Sequence, residues 1–191
     1  MLSQAVLIDA DATARRACGR LRGFTLFELL VTLIVVAVLL AIAVPALSQF
    51  VDSSRLRASQ SELVSALTLA RSEATKRGLN VVVEAVAPAA GVEFNQGWRV
   101  WVDADADGSY VYSAGPPAEE VVREYPAATG IVRFATVGGA TRATFDSRGF
   151  LTPRTEIVFT VCGKAGVTKG YRIRLEPLGI ADVEERNDAC T

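Results

Sequence analysis

Histidine is absent from the whole chain of 191 residues. Its absence removes the usual general base near neutral pH, the serine and cysteine triads built on imidazole, and the commonest zinc ligand. Cysteine is scarce as well, with three in all, too few soft ligands for a structural zinc site when no histidine completes the set. No glycine-rich phosphate loop occurs. Ser113 and Ser147 stand in turn sequences without an identifiable base, and the adjacent carboxylates Glu119-Glu120 and Glu184-Glu185 read as solvated faces rather than as an acid and a base. The chain is therefore not expected to be an enzyme or to need a cofactor. Nor does it have a surplus of charge. Twenty Lys and Arg against 21 Asp and Glu give a formal net charge of −1, with no general attraction for nucleic acid or anionic lipid.

Charge is missing altogether from one stretch. Leu29 to Leu47 is 19 residues with Thr32 as the sole polar side chain, about the length a helix needs to cross the hydrocarbon of a bilayer. No polar residue recurs there at helical spacing, so no face is prepared for water. Arg15, Arg16, Arg20 and Arg22 precede the run, and the positive-inside rule keeps that cluster on the cytoplasmic side. Glu28 sits at the mouth of the run, where a carboxylate costs a few kcal/mol unless it is neutralised or reaches the interface. Gly23-Phe24 precedes the apolar stretch, so cutting there would discard the basic leader and keep the helix, the reverse of secretory signal processing.

Gly23-Phe24-Thr25-Leu26-Phe27-Glu28-Leu29-Leu30 resembles the type III signal of type IV pilins and type II secretion pseudopilins. The resemblance implies a prepilin peptidase that cuts after Gly23 and N-methylates the new amino terminus, Phe24. It implies that Glu28 pairs with the Phe24 amino group of a neighbouring subunit, and that Pro45 distorts the helix. Residues 1–23 then form a cleaved leader, 24–47 the membrane half of a long helix, 48–78 its periplasmic half and 79–191 a β-rich head. Four Arg and two Asp leave with the leader, so the remainder holds 16 basic and 19 acidic residues, a net of −3. Cys18 leaves too. Cys162 and Cys190 remain as an even pair in the exported part, for which a disulfide is the economical reading and two separate thiols the alternative. Such a bridge would contribute about 3 to 4 kcal/mol in the chain-entropy picture.

Past the membrane the helix is expected to continue. Leu56, Leu63, Leu67, Ala70 and Ala74 draw one apolar stripe, while Ser59, Glu62, Ser65 and Ser72 occupy other faces. Lys76 and Arg77 suit the negative end of the helix dipole, and Gly78 suits a left-handed cap. The rest reads as short strands at 81–86, 98–102, 120–125, 131–135, 143–145, 157–162 and 171–175, rich in β-branched and aromatic residues and parted by Gly, Pro and Asp. The expected fold class is α+β, with the long helix packed on an antiparallel sheet.

Three blocks in the head, Leu67 to Gly78, Gly97 to Asp103 and Phe145 to Phe150, resemble the FimT/GspH branch of minor pilins and minor pseudopilins. The resemblance implies a non-catalytic subunit, placed in the inner membrane with a periplasmic head and then assembled into a filament with other pilins on an inner-membrane platform. A type IV pilus, at the tip or in priming, is the first expectation; a minor pseudopilin of type II secretion is the alternative. A DNA-binding pilin for natural transformation is a second alternative. The family's Gly-Arg-x-Arg motif for DNA falls here on Gly179-Ile180-Ala181-Asp182, which lacks both arginines. Lys164, Lys169, Arg172 and Arg174 are the remaining candidate phosphate contacts, opposed by Glu176, Asp182, Glu184 and Glu185, and DNA is not expected as a ligand. Asp103-Ala104-Asp105-Ala106-Asp107-Gly108 matches the first half of an EF-hand loop, yet its twelfth position is Ala114, where a bidentate Glu is needed. The expected reading is a solvated turn between Trp101 and Tyr110 without metal.

Overall fold

The computed structural model describes residues 24–110, 119–128, 130, 132–163 and 170–186. Gly23, Ser113, Lys164, Lys169 and Cys190 lie outside them. One helix, α1 (Leu26–Arg77), is followed by nine strands: β1 (Asn80–Ala85), β2 (Trp98–Asp103), β3 (Glu120–Tyr125), β4 (Arg133–Thr136), β5 (Arg142–Phe145), β6 (Leu151–Thr152), β7 (Ile157–Cys162), β8 (Gly170–Leu175) and β9 (Ala181–Arg186). The chain divides into two compact units after Ala43.

In the first unit the helix begins at a cap. Thr25 Oγ1 accepts from the Glu28 amide at 3.1 Å, which satisfies one of the orphan donors of the first turn and places an acid where the helix dipole favours it. The large side chains beyond it are exposed, from 41% at Val31 to 82% at Leu26. The stretch is long and apolar enough to cross a membrane. Pro45 lies inside α1, which is assigned as helix without interruption from Leu26 to Arg77.

In the second unit α1 meets water on one side and a core on the other. Leu56, Leu63, Leu67, Ala70 and Ala74 are all buried, as the stripe requires, and Ala66 joins them. Gly78 ends the helix at φ 70°, its amide donating to the Ala74 carbonyl at 2.9 Å. Arg77 then ties the helix end to β3, with Nη1 2.6 Å from Glu120 and Nε 2.7 Å from Glu73. Glu120 and then Glu73 push the Arg77 pKa up.

The head holds two antiparallel sheets, ordered β3-β2-β1-β5-β6 and β4-β7-β8-β9, which gives the expected α+β class of a helix on antiparallel sheet. Both feed one core with the helix stripe. Val81, Val83, Trp98, Val100, Val102 and Phe145 come from the first sheet, and Phe134, Phe159, Val161, Ile173 and Leu175 from the second. Alternation along β2 sends Trp98, Val100 and Val102 inward and Arg99, Trp101 and Asp103 to the opposite face. β6 and β9 were not anticipated. β6 is two residues long, and β9 (ADVEER) is mostly exposed at a sheet edge, where charge is what protects a strand from unwanted pairing.

Candidate functional site

The three blocks on which the expected resemblance rests occupy the joints of the head. Residues 67–78 are the last turns of α1 and its cap. In the Phe145-to-Phe150 block, Asp146 Oδ1 accepts from the amides of Arg148 (2.9 Å) and Phe150 (3.0 Å). Burial works to raise the Asp146 pKa, but these amides and the Arg148 guanidinium hold it below the usual carboxylate range. Gly149, at φ 79°, sits so near the helix that a Cβ would lie 3.0 Å from both Arg71 Cγ and Thr75 Cγ2. The turn is thus seated on α1, and Ser147 belongs to that turn. In the Gly97-to-Asp103 block, Trp98 stacks on Tyr125 (ring centroids 5.3 Å) and meets Phe134 edge-on at 5.1 Å.

Glu93 carries a role that sequence reading missed. It is 4% exposed, accepts from the Gly91 amide at 2.8 Å and from the Thr136 amide at 2.9 Å, and so fastens the β1–β2 connection to β4. Burial pushes its pKa up, but the backbone donors prevail and the group is held below its ordinary value. The Gly91 contact is local to the loop, but no local pattern announces the partner that matters for the fold, because the Thr136 amide is 43 residues away and is brought up only by tertiary contact.

Of the candidate phosphate contacts, Arg172 and Arg174 lie among the described residues, each opposite an acid in the ladder. β8 and β9 pair so that Arg172 faces Glu184 and Arg174 faces Asp182. Arg174 Nη2 lies 2.9 Å from Asp182 Oδ2, and this contact raises the Arg174 pKa. Asp182 therefore neutralises a neighbouring arginine at the position where the DNA-binding motif has one of its own. Gly179, in the same stretch, is needed for packing. At φ 75°, its missing Cβ would collide with the Gly149 carbonyl.

The aspartate-rich turn is exposed at Asp105, Ala106 and Asp107, but two carboxylates beside it are buried. Asp103 is 3% exposed and Glu119 7%. β2 and β3 pair with Val102 opposite Glu120, which sets Asp103 beside Glu119 at the end of the ladder. One carboxylate oxygen from each of Asp103, Asp105, Asp107 and Glu119 lies within 4.8 Å of the others. Burial foremost, then the Asp105 charge, pushes the Asp103 pKa up against the amides of Gly108 and Ala106. The adjacent pair Glu119-Glu120 is not one solvated face: Glu119 is buried here, and Glu120 pairs with Arg77.

Comparison with known proteins agrees with this architecture. The family described as type II transport protein GspH matches residues 59–179, and the prokaryotic N-terminal methylation motif matches residues 20–44. No curated protein matches the chain. Among solved structures, the type IV minor pilin FimU of Pseudomonas aeruginosa (strain PAO1) is similar in two crystal forms. One has a TM-score of 0.56 at 19% identity, covering 71% of this chain and 92% of that chain. The other has a TM-score of 0.51 at 20% identity, covering 69% and 91%. The minor pseudopilin EpsH from the type 2 secretion system of Vibrio cholerae reaches a TM-score of 0.47 at 12% identity, covering 68% and 96%. The similarity to FimU shows the type IV pilin-like α+β fold, with helix packed on antiparallel sheets. The methylation motif implies processing by a prepilin peptidase and assembly with other pilins. The chain belongs to the GspH family, as a non-catalytic minor pilin or pseudopilin of a type IV pilus or a type II secretion apparatus.

Proposed function

We propose that the chain is a minor pilin of a type IV pilus, acting at the filament tip or in its priming. Its leader is removed after Gly23, Phe24 becomes the N-methylated terminus, and the exposed apolar half of α1 waits in the inner membrane with the head in the periplasm. Assembly on the inner-membrane platform then exchanges lipid for neighbouring helices. The observation that supports this reading is the state of Glu28. Its amide is capped by Thr25, but its carboxylate has neither a hydrogen bond nor an ion pair among the described residues. The nitrogen that would answer it, the amino group of Phe24, exists only after cleavage and is offered by another subunit. Pro45, which has no amide hydrogen, marks where α1 loosens on entering the filament.

A few copies at a tip suit a minor subunit better than the filament body does. The second host, type II secretion, shares these features, and a deletion strain separates the two. Loss of twitching or of transformation with intact exoprotein secretion is expected; lost secretion with intact pili would assign the chain to the secretion apparatus. DNA contact is not part of the proposal, since Asp182 occupies Arg174.

Cys162, buried at the end of β7, is proposed to bridge to Cys190 and tether the carboxyl end to the second sheet. Alkylation of the denatured, unreduced mature protein should label no thiol, and two labelled cysteines would sink the bridge.

A further inference from the structure

We propose that Asp103, Asp105, Asp107 and Glu119 form a calcium site that clamps the open end of the β2–β3 pair. Two independent observations meet there. The first is convergence: four carboxylates, two of them buried, offer oxygens within 4.8 Å of one another. The second is an unanswered atom. Asp103 is 97% buried by its 3% exposure, and its Oδ1 has no hydrogen-bond partner among the described residues. A buried carboxylate oxygen without a donor is costly, and a bound cation is one of the few groups that would repay the desolvation of several acids at once.

The local cations are already committed. Glu84 engages Arg99 Nη2 at 2.8 Å and Arg142 Nη2 at 3.5 Å, Arg99 stacks over the Tyr110 ring at 4.3 Å, and Arg142 also donates to the Gly108 carbonyl. None is ion-paired to Asp103, Asp105 or Asp107. Asp105 Oδ1 accepts from the Asp107 amide at 3.2 Å and Asp107 Oδ1 from the Ser109 amide at 2.6 Å, which orders the turn and leaves each a second oxygen.

Calcium suits the arrangement by size. It takes oxygen ligands at about 2.3–2.6 Å, so two ligands on opposite sides of one ion stand up to about 5 Å apart, whereas magnesium demands a tighter octahedron at about 2.0–2.1 Å. A spread of up to 4.8 Å falls within the calcium span. Glu119 does the work that the EF-hand pattern gives to its twelfth residue, but from the first position before β3 instead of from Ala114. Protein oxygens beyond these four and water would complete the six to eight ligands calcium takes.

The test uses the full-length protein in detergent, stripped with EGTA and titrated with calcium chloride by isothermal titration calorimetry, with tryptophan fluorescence followed on heating. Saturable binding of one ion per chain below millimolar concentration is expected, with a rise in melting temperature that magnesium chloride at the same concentration does not reproduce. Asp103→Asn and Glu119→Gln should each weaken binding at least about tenfold, as loss of a ligand does, while Asp182→Asn on β9 should bind like the wild type. No saturable binding by the stripped wild-type protein at millimolar calcium overturns the site, whatever the variants do. Binding that survives in the Asp103→Asn, Glu119→Gln double variant overturns it too.

Discussion

Gly23→Leu will leave the chain at full length, with its arginine-rich leader attached and no methylated Phe24. A side chain at the residue before the cut obstructs the approach of the scissile bond to the peptidase, so the effect is nearly all or none. It propagates, because an uncut chain has no free Phe24 amine and Glu28 then has no partner in a filament. Glu28→Ala separates the two steps. Cleavage should proceed, but the Phe24 amine of the neighbouring subunit loses its counter-charge, and breaking a buried pair from one side costs about 3 to 5 kcal/mol. Mass spectrometry of the amino-terminal peptide reads the first step, and immunoblotting of sheared filaments reads the second. Normal processing of Gly23→Leu would remove the cleavage assignment, and wild-type incorporation of Glu28→Ala would reduce Glu28 to its helix-capping position.

Gly97→Ala should be among the most damaging single substitutions in the head. Gly97 has φ 91°, and an added Cβ would overlap the Tyr125 carbonyl and lie 2.9 Å from the Pro126 carbonyl carbon and 3.1 Å from the Ala127 amide nitrogen. These are backbone atoms that cannot rotate away. Strain at a positive φ and overpacking each cost about 1–3 kcal/mol, so about 3 to 5 kcal/mol is expected together. That is a large share of the stability of a domain this size. Gly78→Ala is the control. Its φ is 70°, yet nothing lies within 4 Å of the added Cβ, so only the backbone term of about 1 kcal/mol applies. Denaturant titration monitored by the buried tryptophans compares the two, and equal losses would show that the contact with the Tyr125–Ala127 backbone is not what requires glycine at 97.

Where a residue's role depends on neighbours one helical turn away, sequence reading was sufficient. The stripe from Leu56 to Ala74 is buried, the Gly78 cap is left-handed, and β1, β2, β3 and β5 fall within a residue or two of expectation. It faltered where partners are distant. β9 was overlooked because Asp182, Glu184 and Glu185 look like loop, although its register with β8 is what sets Asp182 against Arg174. Glu93 gave no signal, since one of its two backbone donors, Thr136, is 43 residues away in β4.

The order of residues alone thus determined the processing signal, the uncharged helix behind it and the amphipathic turns that follow, because each is a pattern of spacing along one chain. Only the tertiary structure decided that the head has two sheets, that its shared motif blocks are joints between helix and turns, and that Glu119 meets Asp103. The physical reason is strand register. Pairing Val102 with Glu120 brings together acids far apart in sequence, and no periodicity within either strand encodes which residue of the other it will face.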